Sequence, residues 1–210
     1  MERYVDVLRS VRGLFAASET VSREKWKGYL QIINLKRNYP GLMSVGFAER
    51  VLPGQRAAYV QKIRAEGLPE FVWRPTREGS EYFPVRFFEP RSPVKPSWEG
   101  HDFFAEPTHR EAMEKARASG WHAASGKITL ISNQGTNGEA GLVIYSPVYQ
   151  GGTRPESVAE RVAKLEGFVF ATIQVRDLLQ TVFGTGRSNV VDLEIFDKGA
   201  LTAENSMYDQ

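Results

Sequence analysis

The chain has 210 residues, 41% of them hydrophobic and 25% charged, enough apolar material for one large globular domain or two small ones. Its 27 basic and 25 acidic side chains leave a net charge of +2, without the basic stripe that a nucleic-acid binder presents. There is no cysteine, which excludes disulfides and thiolate–metal sites, and the charged start MERYVDVLRSVR is not a secretory signal.

In chain order, Tyr4, Leu8, Val11, Phe15 and Ser18 recur at spacings of four and three, an a/d-like helical stripe. Ser22 caps a second helical run in which Trp26, Leu30 and Ile33 share a face, and NYPG stops it. Residues 4–36 therefore read as one long helix or two end to end, packed on a domain or pairing as a stalk with a second copy. Because the chain begins inside a helical pattern, a longer protein is expected around it.

From Leu42 the pattern changes. LMSVGFAERV reads as a strand and LPGQRAAYVQKIRAEG as a helix with Ala57, Val60 and Ile63 inward. EFVW and YFPVRFF read as strands on either side of the turn-rich RPTREGS. A loop with Pro90, Pro93 and Pro96 leads into a helix within GHDFFAEPTHREAMEKARASG, where Pro107 suits a first turn. WHAAS, KITLIS and LVIYSPVY follow as strands, with NQGTNGEAG as a loop before the last. After QGGTRPES come a helix over Val158–Leu165, the strand GFVFATIQV, the helix RDLLQTVFG and the strand VVDLEIF. The longest nearly uncharged apolar run, GFVFATIQV, is far short of the roughly 20 residues that cross a bilayer, so the chain as given is expected to be soluble. Without strict βαβ alternation, the expected fold is α+β with antiparallel sheets.

The chemical motifs are sparse. Gly120 and Gly126 are wrongly spaced for a phosphate loop, and Ile128 stands where a metal-binding hydroxyl would follow Lys127. The three histidines, His101, His109 and His122, form no H-E-x-x-H, and no serine sits in a nucleophile elbow. Asp102, followed by Phe103 and Phe104, has two readings. It accepts backbone amides at a helix entrance, or it stands in an apolar pocket and orients a ligand through the ligand's own donors. Patterning alone leaves both open.

YPGLMSVGFAERV, the helix after it, EYFPVRFFEP, GHD ahead of ARASG, and GLVIYSPVY, in that order, resemble the CHASE domain. This is the extracytoplasmic sensor of histidine kinases, nucleotide cyclases and cyclic-di-GMP enzymes, plant cytokinin receptors among them. The likeness runs from about the first helix to VVDLEIFD. It implies a long N-terminal stalk helix (residues 1–37), a membrane-distal PAS-like ligand-binding unit (38–150), and a membrane-proximal PAS-like unit with a tail (151–210). The hinge would be the Gly-Gly-x-Arg-Pro stretch.

The same resemblance implies that Asp102 pairs with donors on the ligand's ring and that Phe83 and Val85 line the pocket. Ala124 matches a pocket-lining leucine, and Tyr145 and Ser146 match the strand that closes the site. A small Ala124 would enlarge the cavity, Ser146 stands where plant receptors carry phenylalanine, and Trp98 would fill or cap part of the space. The expected ligand is a small molecule, an adenine-type cytokinin or another planar molecule with donors, with no cofactor and no catalysis in this segment. A homodimer through the N-terminal helix is expected, with membrane anchors outside the segment and the domain on the periplasmic or extracellular side. Three other readings stand beside this one. They are a metal-dependent hydrolase using His101, Asp102 and His109, a periplasmic protein-interaction module, and a ligand-free scaffold filled by Trp98 and Phe103.

Overall fold

The computed structural model describes residues 2–73, 77–91, 98–130, 138–183, 194–197, 202 and 204–209, with the backbone alone for 181–183 and 209. The expected loop around Pro93 and Pro96, the first part of RPTREGS, most of NQGTNGEAG and the start of VVDLEIF lie outside the described residues.

The N-terminal segment forms short helices, not one long stalk: α1 (Glu2–Ala16), α2 (Arg23–Ile33) and α3 (Leu35–Asn38). Ser22 starts α2 by accepting the N–H of Lys25 at 3.2 Å. Asn34, in the left-handed conformation at φ 50°, ends α2, and its side chain accepts the N–H of Arg37 to start α3.

Six strands form one antiparallel sheet: β1 (Leu42–Glu49), β2 (Val85–Pro90), β3 (Ala123–Ala124), β4 (Ile128–Leu130), β5 (Glu139–Tyr149) and β6 (Leu165–Gln174). Their order is β2-β1-β6-β5-β3, with β4 also paired to β5. Helices α4 (Arg56–Ala65), α5 (Pro107–Ser119), α6 (Val158–Lys164) and α7 (Val175–Phe183) connect or flank them. β7 (Glu194–Phe196) and β8 (Ser206–Asp209) form a separate ribbon. The sequence reading missed β8.

The expected unit boundary at residue 150 does not divide this sheet. β6, assigned from sequence to the second unit, lies at its centre between β1 and β5. The reason is in its side chains. Phe168 and Phe170 fill one face while Val169, Ala171 and Ile173 fill the other, all fully buried. A strand apolar on both sides must have cover on both sides. The glycines expected as a hinge make a turn instead: Gly151 and Gly152 have φ of 78° and 75°, and Gly152 N–H donates to the Tyr149 carbonyl at 2.9 Å.

Each face of the sheet carries its own core. On the first, Tyr4, Leu8 and Val11 of α1 and Trp26 and Leu30 of α2 pack on Val45, Phe47, Phe87, Val169 and Ala171. Trp26 stacks on Phe87 with ring centroids 5.1 Å apart. The stripe that reads as a stalk seam is thus covered by the protein's own sheet; burying one such side chain contributes about 1.5–3 kcal/mol. On the second face Ala112, Met113 and Ala116 of α5 lie over Val143, Tyr145, Phe168 and Phe170. Gly46, opposite Phe170 in the register, leaves room for that ring: a Cβ there would lie 2.2 Å from it.

A third, smaller core joins Val51, Tyr59, Ile63 and Phe71. Tyr59 takes the inward position expected for Ala57, which is exposed. EFVW is not a strand. The YFPVRFF strand begins at Val85, preceded by isolated bridges from Tyr82 to Val51 and from Pro84 to Asp102.

Candidate functional site

Asp102 sits at the start of a single 3-10 turn, Phe103–Ala105, just ahead of α5. Its bridge to Pro84 brings the carboxylate across to the chain entering β2. Oδ1 accepts the N–H of Phe83 at 3.0 Å and of Phe104 at 3.1 Å. Oδ2 is buried without a hydrogen-bond partner, and Nη2 of Arg77 lies 4.0 Å from it. Arg77 in turn donates to the Glu81 carbonyl at 2.9 Å, covers the rings of Tyr82 and Phe104, and leaves its Nε unpartnered. Asp102 is 2% exposed. Burial raises its pKa, against the opposing pull of the Phe83 amide, Arg77 and the Phe104 amide. One oxygen of the carboxylate thus holds the local turn, and the other has the Arg77 charge at 4.0 Å but no hydrogen bond.

The surroundings are aromatic. Phe83 packs on Phe104 and Phe168 at centroid distances of 4.9 and 5.2 Å, and Phe103 lies edge-on to Phe170 at 5.6 Å. Phe83 and Val85 share this face, as alternation along a strand requires. Trp98 packs at its rim, 5.5 Å from Phe103. Tyr145 is on the same face and fully buried.

Ser146 and Ala124 are not on it. Successive residues of β5 alternate, so Ser146 lies on the α1 side with Ile144 and Val148. The register pairs Ala123 with Tyr145 and Ala124 with Ile144, which puts Ala123 on the aromatic face and leaves Ala124 exposed on the other. Phe168 and Phe170 were missed as wall residues. Their alternation within GFVFATIQV was legible, but the strand had been assigned to another unit.

Behind Asp102 a second polar set converges on Glu106. Nε2 of His101 meets Oε1 at 2.8 Å, and Nε2 of His109 lies 3.5 Å from Oε2. Nδ1 of His109 is 2.8 Å from the hydroxyl of Tyr145. Burial lowers the pKa of His109 and raises that of Tyr145, while the hydrogen bond from His101 lowers that of Glu106. His101, Asp102 and His109 therefore do not converge as a hydrolase triad: the histidines face Glu106, and the aspartate faces the amides of Phe83 and Phe104. Among the described residues no three His, Asp or Glu side chains could hold a metal ion.

A groove of about 1380 Å³ lies elsewhere, between the α1–α2 loop, the end of β1, α4 and the turn at Gln150–Gly152. At its edge a register shift in the β1–β2 pairing leaves Arg86 out of the register pairs. Its guanidinium donates to Glu49 at 2.9 Å, to Glu66 at 2.8 Å and to the Val21 carbonyl at 3.4 Å. This network ties β2 to the end of β1, to the loop before α2 and to the residue after α4, away from Asp102.

A family model, that of the CHASE domain, matches residues 19–208. The chain belongs to the CHASE domain family. CHASE domains are sensory extracellular domains of receptors such as histidine kinases and cyclases, and this segment is a sensory domain of that kind. The match takes in the whole six-stranded sheet and most of β8. No curated protein matches the chain. Among the described residues of this CHASE domain, no helix is long and apolar enough to cross a membrane.

Proposed function

We propose that this CHASE domain is the ligand-binding part of a membrane-anchored receptor, and that Oδ2 of Asp102 is the anchor for a small molecule lying against the aromatic face. One observation carries the reading. A 2%-exposed carboxylate keeps one oxygen without a hydrogen bond, although burial disfavours its charge. A ligand N–H would satisfy that oxygen, and Arg77 would turn its unpartnered Nε toward an acceptor on the same molecule. A planar base with adjacent donor and acceptor meets both needs, and an adenine-type cytokinin is one example.

The face is filled by Phe103, Phe104 and, at the rim, Trp98, so ligand entry requires these rings to give way. Phe103 and Phe104 belong to the turn that feeds α5, and their displacement changes how α5 sits on β5 and β6. That repacking is the signal in this account. The ligand shifts it only by its differential affinity for the two packings, typically about 1–3 kcal/mol. The antiparallel sheet with helical cover on both faces supports a PAS-like reading of this unit. We place pairing between copies on the faces of α1 and α2 that point away from the sheet, where Ile32 is 84% exposed. The membrane helices and the cytoplasmic output belong to the rest of the receptor.

A thermal-shift screen with nucleobases, cytokinins, amino acids and short acids tests this function. A ligand at 100 times its dissociation constant should stabilise the domain by about 2.7 kcal/mol. The amide resonances of Phe83 and Phe104 should move on binding. A hit whose shifts cluster around Arg86 and Lys62 instead would put the ligand in the other groove.

A further inference from the structure

His101, Glu106, His109 and Tyr145 form a polar chain from the surface to the middle of the sheet, and its direction is fixed at the buried end. The Tyr145 ring is enclosed by Phe168 and Phe170, with centroids 6.2 and 6.0 Å away. Among the described residues its hydroxyl meets one polar partner, Nδ1 of His109. The phenol therefore donates to Nδ1, and the imidazole carries its proton on Nε2, toward Glu106.

A second proton on His109 has only Nδ1 to occupy. There it meets the phenol proton. The hydroxyl can then accept from Nδ1, but its own proton must turn into aromatic surroundings that offer no acceptor. A charged His109 thus keeps the bond between the first turn of α5 and β5 only by leaving the phenol proton buried without an acceptor among the described residues, a cost that favours its opening.

We propose that the Tyr145–His109–Glu106 chain is a proton-operated latch: acidification charges His109 and releases the start of α5 from β5. The ionisable groups facing His109 are Glu106 at the head of α5, which attracts the proton, His101 ahead of it, which opposes it when charged, and Tyr145 on β5. Phe103, from the turn before α5, adds only a ring at 4.8 Å. Asp102 interacts with His101 and Arg77, and neither Asp102 nor Arg77 is among the charged groups that shift His109. The low pKa that burial imposes on His109 agrees with this direction. The folded state binds the proton less readily than the unfolded one, so stability falls as pH drops below about 6.5. The latch needs no ligand and stands apart from the anchor role of Asp102.

The test is an NMR pH titration of the domain from pH 8 to 5, beside Tyr145→Phe and His109→Gln, with melting temperatures over the same range. His109 should titrate below about 6.5. The amides of residues 107–119 and 143–147 should move with the same midpoint. Removing the phenol in Tyr145→Phe removes the conflict at Nδ1 and should raise that midpoint. In His109→Gln the amide movements should vanish, and the melting temperature should fall on acidification by about 2–4 °C less than in the wild type. A His109 that titrates without moving α5 or β5 overturns the latch. So does a midpoint unchanged by Tyr145→Phe, a comparison that holds even where His109→Gln does not fold.

Discussion

Asp102 and Phe83 are 19 residues apart in the chain, yet the carboxylate of one accepts the backbone N–H of the other at 3.0 Å. This bond joins the turn ahead of α5 to the entrance of β2 and makes Asp102 structural on one oxygen, while the other, 4.0 Å from Arg77 Nη2, accepts no hydrogen bond and is the oxygen we propose as the anchor. Alanine and asparagine substitutions should separate the two roles. Asp102→Ala strands the N–H groups of Phe83 and Phe104, at a cost of about 1–3 kcal/mol each. Asp102→Asn keeps an acceptor on both.

The pH dependence of the pair follows from the raised pKa of Asp102. A carboxyl whose folded pKa is raised holds its proton more tightly when folded. Its ionisation therefore opposes folding: the penalty is fully present above the folded pKa and disappears as pH falls toward the unfolded value. Asp102→Asn, which mimics the neutral form, should melt no lower than the wild type at pH 7 and lose any relative advantage in acid. Melting curves at pH 7 and pH 4 check both.

Arg86 should prove the most sensitive charged residue. Its side chain is 10% exposed and serves Glu49 and Glu66 together. Arg86→Ala leaves Glu49 with Lys62 alone and takes from the partly buried Glu66 its Arg86 partner, a loss of about 1–3 kcal/mol. Denaturant unfolding should show this as a lower midpoint with an unchanged slope.

Leu8 is fully buried against the sheet, so Leu8→Ala is a core deletion. It should cost about 2–5 kcal/mol of stability. Sedimentation of the folded protein should give the same mass as the wild type, because this stripe is not available to a second copy.

The two faces of β5 predict different consequences for neighbouring residues. Tyr145→Phe and Phe170→Ala alter the wall beside Asp102 and should change ligand affinity. Ser146→Ala and Ala124→Ser lie on the opposite face and should leave it within a factor of two. Calorimetric titration of the four variants with one ligand decides this.

The resemblance singled out the residues of this candidate site, and local patterns placed some of them. Period-two alternation in YFPV was enough to put Phe83 and Val85 on one face, and the helix of Pro107–Ser119 was legible from its first-turn proline and its Ala112, Met113 and Ala116 face. What failed was pairing across the chain. Nothing local in WHAAS says whether Ala123 or Ala124 opposes Tyr145, and a slip of one residue reverses the face. The central place of β6 is likewise a long-range fact: its burial on both faces fits either the core of a second unit or the middle of this one. The α1 stripe failed for a related reason, since a/d spacing is the same whether its partner is another helix or a sheet. The bond between Asp102 and the Phe83 amide also lay beyond reach, because backbone amides leave no mark in a sequence.

Calorimetry with the strongest ligand from the thermal screen, on wild type and on Asp102→Asn, probes the anchor most directly. Replacing the charged acceptor should weaken binding by about tenfold or more, the loss of one charge-assisted bond of about 1.5–3 kcal/mol, while the fold and melting temperature are kept. Equal affinity in the two proteins would contradict the anchor.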